Sequence, residues 1–300
     1  MLYEHNLEAK VSGENSKNPG APFITGSISV ATDDEMTNIV NIHFTYVSPT
    51  FAKTGKTNDT YTLLKNVIDG VFGTYMKDGL EKAIKVRVDS AIGLNEFFTE
   101  KNGKEELVSA KRYEGGFVHR ADVLDDDPKV RNSFKVDMLI NNVTRVEADE
   151  ERGIPEKVIV KGAIFDYNKN LLPVEFAATN PYAMDYFDGL GVSAKEPIFT
   201  FVWGRQVSEV IKREIRTESA FGEDEVREVK STRREFLITG AAKDPYVWDD
   251  ETTITAAELN EAIQKREIDL AAMKKRQDEY KASKNNAPAT MTVANGGFNF

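Results

Sequence analysis

Three stretches of this sequence and three scattered histidines carry residue types that could do chemistry. "TGKT" (54–57) resembles the end of a phosphate-binding loop, in which backbone amides cradle phosphates and a lysine reaches them. That pattern needs a glycine five residues before Gly55, where Thr50 stands, and a parallel strand ahead of it in a βαβ unit, which the sequence does not offer. "GLGVSA" (189–194) imitates a dinucleotide fingerprint but follows a helical pattern rather than a strand. His5, His43 and His119 share no metal-ligand spacing, and with no cysteine the chain has no thiolate ligand, disulfide or cysteine nucleophile. "DDDP" (125–128) reads as a solvated linker, and no serine or threonine sits in a nucleophile motif. The expectation is a protein that is not an enzyme and uses no metal or cofactor.

What remains is a pattern of aromatic and basic residues. Flat rings stack unpaired bases and nearby cations track phosphates, so this combination suits single-stranded nucleic acid. "KVRVDSAIGLNEFFTEKNGKEELVSAKRYEGGF" (85–117) reads as a hairpin with Phe97 and Phe98 beside a charged, glycine-bearing tip. The residues expected to contact such a ligand are Phe97, Phe98, Lys101, Lys104, Lys111, Arg112 and Tyr113 in the first half. In the second half they are Lys161, Tyr167, Trp203, Arg205, Lys212, Arg213 and Arg233. Phe98, Tyr113, Tyr167 and Trp203 fit either a stacking platform or the core, whereas Phe44, Phe199 and Phe201 lie on apolar faces and read as core.

These residues need a scaffold of strands. The chain has 300 residues, 40% hydrophobic and 29% charged, enough for two domains of a soluble globular protein. The net charge of −10 argues against a passive coat for duplex nucleic acid but leaves local basic patches open. No apolar run approaches membrane-spanning length and the N-terminus lacks a secretory pattern, so a cytoplasmic protein with no membrane partner is expected. Residues 1–22 read as a flexible leader. Strands follow at 23–31 and 38–48, the second with Val40, Ile42, Phe44 and Tyr46 on one face. A helix begins near Asn58 or Asp59, and the hairpin ends the first unit near 120.

The plan recurs over 133–243. "FKVDMLINNVTRVEA" is a strand, "KVIVKGAIFDYN" and "LLPVEFAATN" a hairpin, "NPYAMDYFDGL" a short helix, and two long strands follow. Residues 205–216 also fit a helical stripe; a second copy of the plan requires strand. Thr255 and Glu258 form a capping box for a helix over 253–283, and 285–300 reads as a disordered tail.

Strand-strand-strand-helix-strand-strand is the order of the OB-fold. The 85–112 hairpin resembles the last hairpin of single-stranded DNA-binding proteins, and "NGGFNF" resembles their Phe-ended partner-recruiting tail, although this tail is uncharged where theirs is acidic. As a whole the chain is similar to single-stranded DNA-binding proteins of bacteriophages of Gram-positive hosts. The resemblance implies a mainly β (α+β) protein of two tandem OB-fold-like barrels, then a C-terminal helix and flexible tail. It further implies sequence-independent binding of single-stranded DNA in replication or recombination, with Phe298 and Phe300 recruiting partner proteins of those processes. The competing readings are a phage structural or assembly protein and an OB-fold binder of a host protein.

Overall fold

A computed structural model of the chain describes residues 1–149, 154–217, 221, 225–249, 252 and 254–285, with side chains except at 209–217, 225, 227–233 and 284–285. The first unit contains β1 (Leu2–Val11), β2 (Pro22–Ala31), β3 (Ile39–Val47), α1 (Asp59–Ile68), the single turn α2 (Tyr75–Asp78), β4 (Val86–Lys101) and β5 (Lys104–Arg120). Its sheet has the order β1-β2-β3-β5-β4. The second unit contains β6 (Phe134–Val146), β7 (Lys157–Phe165), β8 (Leu171–Ala178), α3 (Pro181–Gly189), β9 (Ile198–Thr217) and β10 (Glu225–Ala241). Its strands close into a barrel in the order β10-β8-β7-β6-β9, the same arrangement. Helix α4 (Ala256–Asn285) follows. The protein is therefore mainly β, with two OB-like units in tandem and a C-terminal helix.

The leader reading of residues 1–22 is corrected. Residues 2–11 form β1, antiparallel to β2, with Val11 opposite Pro22 and Leu2 opposite Val30. Only Leu2 and Leu7 of this strand are fully buried, so the charged residues between them hid it from a search for alternation. The strand reading of 205–216 holds: β9 pairs with β10 from Val202 to Thr217, whereas its pairing with β6 ends at Gly204. The rest of the β9–β10 pair is thus a two-stranded arm reaching past the barrel.

Each unit buries one face of its strands against a helix. Ile24, Ile28, Val40, Ile42 and Phe44 pack with Leu64 and Val67 of α1, while Met138, Ile140, Val160, Phe176 and Val202 pack with Met184 and Phe187 of α3. Phe199, read as core, is buried on the other face of the barrel beneath Ile254, Tyr246 and Trp248. An aromatic chain joins the units: Tyr113 lies 5.4 Å from Phe236, which lies 5.8 Å from Phe134. Polar clamps reinforce it. The Asn38 amide donates to the Gln206 carbonyl and accepts from the Ser208 N–H at 2.9 Å, and Arg131 pairs with Asp34.

Tyr113, expected to stack on DNA, is thus a core residue. It is 7% exposed, its hydroxyl has no hydrogen-bond partner, and burial pushes that hydroxyl's pKa up.

Helix α4 ties the units from outside. Its capping box forms as expected, with the Glu258 N–H donating to Thr255 Oγ1 and the Thr255 N–H to the Glu258 carboxylate. Arg266 grips Glu96 of β4 with both guanidinium nitrogens and also donates to the Leu171 carbonyl of β8. Further along, the Gln277 amide accepts from the Phe98 N–H at 3.1 Å and donates to the Phe98 carbonyl at 2.5 Å, completing part of the free edge of β4.

Two stability measurements check this account. Tyr113→Phe removes an unpaired buried hydroxyl and is expected to leave urea-unfolding stability unchanged or raise it by up to about 1 kcal/mol, whereas Tyr113→Ala is expected to cost roughly 3–5 kcal/mol. Equal losses in both variants would mean that the hydroxyl is bonded. Arg266→Ala strands the nearly buried Glu96 carboxylate and is expected to cost roughly 3–5 kcal/mol; a change within experimental error would contradict the clamp.

Candidate nucleic-acid interface

The structure disperses the residues expected at the interface. Lys101 and Lys104 flank the Asn102-Gly103 tip of the β4–β5 hairpin, whose two positive φ values make a tight two-residue turn, and both are exposed. Phe97 is exposed, but Phe98 is half-buried, with Lys274 of α4 over its ring. The paired phenylalanines are therefore not a free platform, because α4 covers one of them. Lys111 donates to the Glu175 carbonyl and sits over the Phe236 ring, and burial lowers its pKa. Arg112 is bound to Glu114 and Lys161 to Glu175. Tyr167, 94% exposed, stands alone on the β7–β8 turn. Trp203 is 37% exposed and lies against the backbone of Gly240, where an added Cβ would meet its ring at 2.3 Å; Arg205, two residues along, is half-buried. The side chains of Lys212, Arg213 and Arg233, and the tail with Phe298 and Phe300, lie outside the described residues.

A different set of aromatics does converge, on the outer face of the first unit. Two neighbouring strands carry a β-bulge at the same level. In β3, Val47 pairs with Ile24 and Phe44 with Gly26, so Thr45 and Tyr46 stand opposite Thr25 alone. In β5, Phe117 pairs with Asp89 and Glu114 with Ala91, so Gly115 and Gly116 stand opposite Ser90 alone. A bulge breaks the alternation of faces. Tyr46, which strict alternation places on the apolar face, is turned out and stacks on Phe23 with ring centroids 4.7 Å apart. The two glycines are required by close approach: an added Cβ would lie 2.3 Å from the Phe44 ring at Gly115 and 1.9 Å from the Asp89 carbonyl oxygen at Gly116.

The result is a groove of about 410 Å³ whose floor has no side chains and whose walls include His43, Tyr46, Phe51, Glu114 and Phe117. Phe51 is supplied by the loop between β3 and α1. That loop closes on itself through the Phe51 N–H to Lys56 carbonyl bond and the Thr50–Thr57 bridge, and Asn58 ties its base by donating to the Ser48 carbonyl at 2.9 Å. The Phe51 ring lies 6.2 Å from Phe117, which lies 6.4 Å from His119. Tyr46, Phe51 and Phe117 are all exposed. Lys53 and Lys56 project from the same loop, exposed and with no ion-pair partner among the described residues.

Burial, and after it the Arg112 charge, lowers the His43 pKa, so this wall is neutral at pH 7. The Arg112–Glu114 pair on the rim balances its own charge. Chemically the groove offers flat apolar surfaces for π-faces, with two exposed cations on the loop that supplies Phe51. Among the described residues no cluster of His, Asp or Glu is arranged to hold a metal ion, and no helix is long and apolar enough to cross a membrane.

The second unit lacks the loop that builds a wall of this groove. There β8 passes into α3 through residues 179 and 180, with Asn180 as the N-cap, in place of the long 48–58 loop. Sequence reading missed Tyr46, Phe51 and Phe117 as a group. The legible signal was "EGGF", two glycines inside a strand pattern, which marks a bulge or a close backbone approach.

Comparison with known proteins gives a family and remote structural likenesses. No curated protein matches the sequence. Among solved structures, the chain is similar to a deletion mutant of the single-stranded DNA-binding protein from Thermus aquaticus, at 10% identity and a TM-score of 0.43, with 84% of this chain and 94% of that chain covered. A likeness that remote supports no functional inference. The model of the YorF family matches residues 3–282, nearly the whole described fold, and the chain therefore belongs to the YorF family.

Proposed function

We propose that this protein binds single-stranded DNA in the groove of its first unit, holding it by base stacking and phosphate contact and carrying out no chemistry on it. The observation that carries the reading is the exposed trio Tyr46, Phe51 and Phe117 around a glycine floor, beside two unpaired lysines. Exposed aromatic rings at this density are costly on a soluble surface unless something covers them. A nucleobase supplies a flat apolar face, and the adjacent phosphates account for Lys53 and Lys56. Duplex DNA hides its base faces within the stack and does not satisfy the same walls. In this reading the protein coats and protects single strands during phage DNA replication or recombination, in the host cytoplasm. The Phe-ended tail recruits other proteins of those processes.

Fluorescence anisotropy with one labelled oligonucleotide, single-stranded and as its duplex, tests the proposal. The single strand is expected to bind much more tightly and to weaken as salt rises. Tyr46→Ala and Phe117→Ala are each expected to cost roughly 1–3 kcal/mol of binding with little change in thermal stability, since both rings are exposed. Deleting "GGFNF" is expected to leave affinity unchanged. Equal affinity for duplex, or aromatic variants that bind like the parent, would overturn the reading.

A further inference from the structure

The polar atoms left over in the groove are acceptors without donors. Asn58 is only 8% exposed and lines the cavity. Its Nδ2 donates to the Ser48 carbonyl, which fixes the orientation of the amide, and its Oδ1 has no hydrogen-bond partner although Asn58 is the N-cap of α1. Glu114 lines the same cavity. Arg112 approaches it through Nε at 2.8 Å and Nη2 at 2.7 Å, both on Oε1, and Oε2 is left over. His43 Nδ1, on the opposite strand, is also buried and unpaired. Buried acceptors are usually satisfied, and one that is not calls for an explanation. Here two of them border a cavity whose walls are aromatic.

We propose that this groove reads the edge of the stacked base and selects nucleobases that carry an exocyclic amino group over thymine and uracil. The proposal rests on the single-stranded nucleic-acid reading above and narrows its substrate. Cytosine offers N4, adenine N6 and guanine N2 as amino donors, the complement of the free Glu114 oxygen, which is the accessible one of these acceptors. Acceptance of the cytosine amino group by a carboxylate is an established pairing mode. Thymine and uracil carry a carbonyl oxygen where cytosine carries its amino group. Against the free oxygen of the partly exposed Glu114 carboxylate that is acceptor facing acceptor. A site whose polar groups need a donor rejects an isosteric ligand lacking one more strongly than an apolar pocket can. Stacking on Tyr46, Phe51 and Phe117 is indifferent to base identity, so the bias adds to general binding without defining a sequence motif.

The test is competition anisotropy with short homo-oligonucleotides of cytosine, adenine and thymine, all of one length within the usual footprint of about 4–16 nucleotides per OB unit. The parent protein is expected to bind the cytosine or adenine oligomer roughly tenfold more tightly than the thymine oligomer. Which of the two leads identifies whether a pyrimidine or a purine amino group is read. Glu114→Gln keeps an oxygen for Arg112 and replaces the free acceptor with a donor; it is expected to raise thymine affinity and bring the ratio towards one. A thymine oligomer that binds as well as the others overturns the selectivity while leaving single-strand binding intact. A preference that survives unchanged in Glu114→Gln overturns the assignment to the Glu114 oxygen. Failure of every oligomer to bind overturns the underlying reading, and the inference with it.

Discussion

The exposed surface of the first unit depends on one steric constraint, the passage of β5 between β3 and β4 at Gly115 and Gly116. At this level the Phe44 ring on one side and the Asp89 carbonyl on the other come so close that no Cβ fits. Two consequences follow. Phe44 can be a core residue although it lies under an open groove, and β5 can bulge and turn Phe117 outward instead of continuing a regular ladder. The bulge in β3 at Thr45 and Tyr46 sits beside it and opens the opposite wall. Without the glycine pair, side chains would fill the groove floor between its aromatic walls.

The two units show what the same strand order does with and without such a site. In the second, the barrel closes, a short connection brings α3 directly over the end of β8, and the outer face at Phe199 is sealed by Ile254, Tyr246 and Trp248. In the first, residues 48–58 build a wall and leave the cavity open. Helix α4 runs between the units, anchored to the β7–β8 region by Glu258 and Lys265 and to β4 by Arg266 and Gln277. The hairpin that carries Phe97 and Phe98 is therefore a fastening point for the helix, held through Glu96, Glu105 and the Phe98 backbone. Glu105, near the hairpin tip, pairs with Lys274 and Lys281 of α4.

Much of the fold was legible because it follows from periodicity and punctuation. The repeated plan, the helix over 181–189 and the capping box at Thr255 and Glu258 follow local rules, whereas 205–216 fits helix or strand locally and only the repeated plan favours strand. β1 was not legible, because nearly all of its residues other than Leu2 and Leu7 remain at least partly accessible and its pattern reads as a polar leader. The candidate site was less legible still. Aromatic identity alone cannot separate Tyr113, which joins the two cores, from Tyr46, which a bulge rotates to the surface. A bulge is a register event between strands, and alternation read along a single strand cannot reveal it. Pairing likewise hid the fate of Lys111 and Lys161, because their partner Glu175 lies on another strand.

The central claim is that single-stranded DNA occupies the first unit's groove and not the places where aromatic and basic residues merely cluster in sequence. Amide hydrogen exchange of the full chain, with and without an unstructured oligonucleotide, tests this most directly. Occupancy of the groove predicts slowed exchange confined to residues 43–58 and 113–119, with residues 177–180 and 238–241 of the second unit unaffected. Slowed exchange at residues 95–112 or 201–205, with none along the groove, would contradict it.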